Sequence, residues 1–257
     1  MAIDKKYIFG NWKMNLTVGE ASLLVHRLEA AIEAHNDVEI ALFPGVLALQ
    51  PISLQLNRRK FKLGAQNFYW RDEGAYTGEI SATQLRGLVK YVLVGHSERR
   101  YIFGEQGRDI GRKMQSAIRN ELCPVLCVGE TASERSLDET ADVIHDQLVA
   151  GLANMTSEDM ERVIIAYEPV WAIGTGKNAT PEDALRAVKI IRDQIKHLFG
   201  TTIAKNIPVL YGGSVSKDNA KSYLEKKDIN GLLVGGASLK SVDFSEIARV
   251  AHGKNRE

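Results

Sequence analysis

Eight short apolar runs, each about the length of one buried strand, recur along the chain at 7–10, 38–43, 61–65, 91–95, 125–129, 163–167, 208–211 and 231–234. Several are apolar almost without interruption. A strand with one wet face alternates polar and apolar residues, so continuous runs imply cover on both faces, as in a parallel sheet. Parallel strands need long crossovers, and the intervening segments supply them. Thr17 can cap a helix with Glu20 three residues on, followed by Leu23, Leu24, Leu28 and Ile32 at helical spacing. Segments 81–89 and 109–120 read as shorter amphipathic helices and 136–152 as a longer one. Thr180-Pro181-Glu182-Asp183 is a strong start signal, with a capping Thr, Pro in the first turn and acids at the positive dipole end. Helices over 214–225 and 238–252 complete the set.

Strand and helix therefore alternate eight times, with no Pro/Ser-rich linker to divide the 257 residues. The pattern predicts an α/β protein, a single (β/α)8 barrel of parallel strands covering residues 1–257 as one domain. A doubly wound open sheet is the competing architecture, but no Gly-rich turn follows the first strand. Gly174-Thr175-Gly176-Lys177-Asn178-Ala179 fits the loose dinucleotide pattern, yet it does not open a helix at a strand end.

A net charge of +1 offers no general attraction to nucleic acid or anionic lipid. Arg58-Arg59-Lys60, the densest basic run, lacks aromatic interleaving and reads as a solvated turn. Cys123 and Cys127 flank Pro-Val-Leu in an apolar strand, too far apart for easy bridging. Two buried thiols in a reducing compartment is the reading that follows. The six histidines form no ligand cluster at metal-site spacing. The N-terminus lacks a secretory pattern and no run of about 18 apolar residues exists. The expectation is a cytoplasmic protein without nucleic-acid or membrane partners.

Polar residues gather just after the strands, the end of a barrel that carries chemistry. The run 163–166 delivers Glu168, and Pro169 then blocks further pairing. Segment 169–179 is apolar and then Gly-rich, as suits a flap over a site that excludes water, with Glu168 as a proton-transfer group beneath it. The plainer alternative is a solvated turn. Asn11 and Lys13 follow the first strand, where the lysine is either solvated or a fixed cation beside an anionic substrate. His96 follows the fourth strand, ahead of residues that can start a helical turn. It is a structural hydrogen-bonding residue or, with helix-start amides favouring neutral imidazole, a donor to a carbonyl. Gly212-Gly213-Ser214 and Gly235-Gly236 each follow a strand and precede a helix. Either pair alone could be a tight turn, but after strands seven and eight they match a phosphate site. One carboxylate, one neutral imidazole and one lysine around a phosphate site equip a barrel to abstract a proton beside a carbonyl.

The motifs resemble the triosephosphate isomerase family over nearly the whole chain. They include Asn11-Trp12-Lys13-Met14-Asn15, Ala65-Gln66-Asn67, Gly74-Ala75-Tyr76-Thr77-Gly78-Glu79-Ile80, His96-Ser97-Glu98-Arg99-Arg100, Cys127-Val128-Gly129-Glu130, the flap, Tyr211 to Val215 and Gly231 to Leu239. Asn178 and Gln84 depart from residues common in the family. The resemblance implies interconversion of dihydroxyacetone phosphate and D-glyceraldehyde 3-phosphate in glycolysis and gluconeogenesis, without cofactor or metal. It implies Glu168 as base, His96 as electrophile, and Lys13 and Asn11 in contact with substrate. Backbone amides at Gly174, Ser214, Gly235 and Gly236 would hold the phosphate. It also implies a homodimer, with the 74–79 loop inserting near Met14 and Asn15 of a second copy. Two alternatives have their own signatures: a Schiff-base aldolase needs an interior strand lysine, for which Lys62 is the candidate, and a non-catalytic phosphate-binding barrel needs none of Lys13, His96 and Glu168.

Overall fold

The computed structural model describes residues 5–173 and 178–253. Eight strands, β1 (Lys6–Asn11), β2 (Val38–Phe43), β3 (Phe61–Ala65), β4 (Tyr91–Val94), β5 (Cys123–Val128), β6 (Ile164–Tyr167), β7 (Val209–Tyr211) and β8 (Gly231–Val234), close into one parallel barrel in chain order. Closure is made where β1 pairs with β8, with Tyr7 opposite Gly231 and Gly10 opposite Val234. The open-sheet alternative is excluded by that pairing.

Strand alternation sorts the buried residues into two cores. Ile8, Ile40, Leu42, Leu63, Val92, Leu126 and Ile165 face outward and join the helices in the larger one. Tyr7, Phe9, Ala41, Phe43, Tyr91, Leu93, Val125, Cys127, Ile164, Ala166, Leu210 and Leu233 fill the barrel itself. Phe9 is the hub of this inner core, with ring centroids 5.5 Å from Phe43 and 4.7 Å from Tyr91. Gly64 makes room for Phe43, because a Cβ there would come within 2.1 Å of that ring. The N-terminal mouth is closed by an ionic plug. Buried Glu39 on β2 accepts from Lys5 at 2.7 Å, Lys90 at 2.5 Å and the Tyr91 hydroxyl.

The outer helices follow local signals where those are strong. Thr17 and Glu20 form the expected capping box, and helix Val18–Ala31 buries Ala21, Leu24, Val25 and Leu28. Leu23 instead faces outward and is exposed. Thr180 caps Pro181–Phe199 with Asp183 as its reciprocal partner. Helix Gly107–Arg119 lies where 109–120 was expected.

Four helices are shorter or broken. The segment 136–152 becomes Ala132–Ser136 and Thr140–Gly151, parted by Asp138, whose φ of 61° ends a right-handed helix. Only Ala82–Leu85 is helical in 81–89, because Gly87 has φ 76°. There Gln84 completes a capping box with Ser81, a role open to its amide. In 214–225 the Asn219 side chain takes the Ser216 N–H at 2.8 Å and donates to the Ser214 carbonyl at 3.1 Å. These bonds replace a first helical turn, and the helix is Ala220–Leu224. Segment 238–252 begins as a 3-10 turn, Gly236–Leu239, before the helix Ser241–Ala251. The helical turn expected after His96 is Ser97–Tyr101, whereas helices Val46–Gln55, which carries Pro51, and Thr201–Asn206 were not anticipated.

Candidate active site

A cavity of about 560 Å³ opens at the C-terminal ends of the strands. Asn11, Lys13, His96, Glu168, Ser214, Gly235 and Gly236, which come from five different strand ends, all line it. Gly174 lies outside the described residues.

Glu168 is 2% exposed and follows β6 with its backbone N–H donating to the Val128 carbonyl at 2.7 Å. One carboxylate oxygen accepts from the Ser97 N–H at 2.8 Å, and the other lies 3.0 Å from His96 Nε2. His96 caps the helix Ser97–Tyr101, and its Nδ1 accepts from the Glu98 N–H at 3.2 Å. A ring nitrogen that accepts carries no proton, so this bond assigns the hydrogen to Nε2. The helix start thus does two things at once. Its first amide holds the carboxylate, and its second selects the tautomer that can donate into the cavity.

Glycines let these groups meet. A Cβ at Gly129 would sit 1.9 Å from the Glu168 carbonyl oxygen, and one at Gly212 would sit 3.1 Å from Glu168 Cγ. Beneath them, burial pushes the Cys127 thiol well up and so keeps it protonated. Cys123 is only partly buried, and both cysteines are free.

Lys13 has φ 53°, a left-handed conformation uncommon for a side-chain-bearing residue. Three contacts fix it. Its N–H donates to Asn11 Oδ1 at 3.1 Å, its carbonyl accepts from Gln66 Nε2 at 2.8 Å, and its Nζ meets Glu98 Oε1 at 2.7 Å. Gln66 Nε2 also donates to the Phe43 carbonyl at 2.9 Å, tying the turn after β1 to β2 and β3. A Cβ at Gly235 would lie 3.6 Å from Lys13 Cε, which puts the cation beside the glycine wall. Gly235–Gly236 opens a 3-10 turn as the spacing suggested, whereas Gly212–Gly213 leads into a turn and not directly into a helix. Lys62 takes no part, since its Nζ donates to the Arg58 carbonyl at 2.7 Å at an exposed position. That removes the observation on which the aldolase alternative rested.

The sequence model of the triosephosphate isomerase family matches residues 6–251. The chain is 46% identical over 246 residues to the triosephosphate isomerase of Carboxydothermus hydrogenoformans, covering 95% of this chain and 98% of that one. It is 44% identical over 249 residues to that of Chloroherpeton thalassium, with 96% and 99% covered. The chain belongs to the triosephosphate isomerase family.

Three residues of this family member escaped the sequence reading, although two sat inside quoted motifs. Gln66 is one, and the second is Glu130, fully buried after β5. Glu130 accepts from the Tyr167 hydroxyl at 3.0 Å and Trp171 Nε1 at 2.8 Å, while its carbonyl accepts the Val170 N–H at 3.0 Å. Burial and the Glu130 charge push the Tyr167 phenol far up, so it stays a donor. Arg135 stacks over the Trp171 ring at 4.2 Å and reaches Asp183 at 3.0 Å. The near root of segment 169–179 is therefore held by a charged network. Tyr223 is the third, and its hydroxyl donates to the Ala179 carbonyl at the far root. An acid placed directly after the glycine that ends an apolar run was the available signal for Glu130. Nothing local marked Tyr223.

Proposed function

We propose that this chain interconverts dihydroxyacetone phosphate and D-glyceraldehyde 3-phosphate by proton transfer through an enediolate, without a cofactor. The observation that carries this reading is the juxtaposition of Glu168, His96 Nε2 and Lys13 in one cavity with a glycine-lined wall. In the structure both donors near Glu168 are taken by its own carboxylate. Substrate binding exchanges one of these bonds, so that the substrate carbonyl accepts from His96 Nε2 in place of the carboxylate. The freed carboxylate then takes a proton from the carbon beside the carbonyl. The C–H electron pair becomes the carbon–carbon double bond of the enediolate, and the oxygen charge is held by His96 and Lys13. His96 Nε2–H gives its proton to the former carbonyl oxygen and takes one back from the neighbouring hydroxyl, and return of the Glu168 proton to the former carbonyl carbon completes the isomerisation. Asn11 fixes the Lys13 turn, and Ser214, Gly235, Gly236 and Gly174 hold the phosphate through backbone amides.

The same reading makes the working form a homodimer in the cytoplasm, acting in glycolysis and gluconeogenesis. Among the described residues no helix is long and apolar enough to cross a membrane. Support for association comes from Met14, 99% exposed beside Lys13, with Leu47 at 82% and Phe103 at 66%. The loop 71–79 is exposed throughout and suits insertion against a second copy. Sedimentation at micromolar concentration is expected to give a dimer, and a monomer alone would refute the assembly.

Turnover is tested by following glyceraldehyde 3-phosphate through a coupled reduction of dihydroxyacetone phosphate. The expected result is rapid conversion, competitively inhibited by a phosphate ester that cannot isomerise. A folded protein that binds the ester without turnover would leave the non-catalytic alternative standing.

A further inference from the structure

At the barrel end opposite the cavity, the turn entering β2 meets the end of the C-terminal helix Ser241–Ala251. His252 Nδ1 lies 2.8 Å from both carboxylate oxygens of Asp37. The His35 ring stacks on His252 with centroids 3.6 Å apart and planes 20° from parallel. His252 Nε2 is buried and has no hydrogen-bond partner. One ligand atom from each of His35, Asp37 and His252 lies within 4.8 Å of the others, the one such group among the described residues.

These observations are poorly explained by packing alone. Two imidazoles and a carboxylate, converging from segments 215 residues apart, are a donor set suited to a first-row divalent transition metal. Calcium and magnesium prefer all-oxygen shells and fit the imidazoles badly. We propose that His35, Asp37 and His252 bind one such ion, zinc being the representative, with water completing its shell. Zinc–nitrogen bonds of about 2.0–2.1 Å require the ligand atoms to draw together and the stacked rings to splay. His35 and Asp37 lie outside helix and strand, where rotation meets little resistance, and Asp37 is exposed. The ion would pin the C-terminal helix to the turn entering β2, far from the reaction, and so act on stability and not on turnover. Spacing in sequence gives no hint of it, because His252 is distant from the other two.

The test is calorimetric titration of zinc into the chelator-treated full chain, with thermal unfolding beside it. The expected results are one zinc per chain at this site and a Tm rise of about 5–10 °C at roughly a hundredfold excess over Kd. His35→Asn and His252→Asn should each weaken binding by about tenfold or more and abolish the Tm rise, while isomerisation without metal is unchanged. His96→Gln, in the cavity, should bind zinc as the unaltered chain does. Zinc binding that survives both surface variants, or that vanishes in His96→Gln, would overturn the proposal, as would no binding at all. If a variant fails to fold, broadening of the His35 and His252 ring signals by nickel in the unaltered chain decides the matter. Unbroadened rings refute the site.

Discussion

Glu39 gives the barrel floor a measurable signature. Burial alone would raise its carboxyl pKa, but bonds from Lys5, Lys90 and Tyr91 outweigh this and lower it from 4.5 to about 2. A carboxylate more acidic in the folded than in the unfolded chain stabilises the fold fully above the unfolded value. That contribution fades as pH falls toward the folded value. A shift of this size corresponds to about 3 kcal/mol at neutral pH. About 1 kcal/mol of it is lost between about pH 6 and about pH 4, and about 2 kcal/mol by about pH 3. Replacing Glu39 with Gln keeps the shape and removes the titration. The assay is urea unfolding of both proteins at one protein concentration across that range. The stability gap between them should narrow by these amounts as the solution is acidified. A gap that stays constant from about pH 6 to about pH 3 would refute the argument that Lys5 and Lys90 dominate over burial.

Gly129→Ala should destabilise the fold by about 1–3 kcal/mol through overpacking, since its Cβ would meet the Glu168 carbonyl oxygen at 1.9 Å. It should also lower kcat by about a hundredfold, because a displacement of roughly 1 Å at the base suffices; steady-state kinetics and urea unfolding check both. Glu130→Gln weakens the charged anchor of Tyr167, Trp171 and Arg135, each hydrogen bond to a charge contributing about 1.5–3 kcal/mol. The expected outcome is lower stability and a raised KM with Glu168 and His96 intact, read from kinetics and thermal unfolding. Glu98→Gln removes the ion pair that holds Lys13 Nζ at 2.7 Å. It should shift KM and its salt dependence more than thermal stability, since partly exposed pairs contribute only about 0–1 kcal/mol.

The barrel was legible because its strands are covered on both faces, which writes each as a continuous apolar run. The strand positions in sequence and structure agree to within one or two residues. Strong caps at Thr17 and Thr180 were legible for the same local reason. Helix lengths were not, where one residue changed the backbone: Asp138 in a left-handed conformation, or Asn219 bonding to the chain before it. Periodicity also misplaced Leu23, which the barrel leaves on the solvent side. At the site, the residues of the reaction stand at strand ends and could be read there. Their supports could not. Gln66 acts across three strands, and Tyr223 reaches Ala179 from 44 residues away. Such contacts exist only once the chain has closed.

The central claim, that Glu168 carries the proton, is tested most directly by the isomerisation rate of Glu168→Gln beside the unaltered chain. The amide keeps the shape and can still accept from the Ser97 N–H, so folding and phosphate-ester binding should persist. A kcat lower by about 10²–10⁴ with little change in ester affinity is the predicted result. A variant that turns over at a rate near that of the unaltered chain would contradict the account, because the cavity's other carboxylate, Glu98, faces His96 Nδ1 and is held by Lys13 Nζ at 2.7 Å.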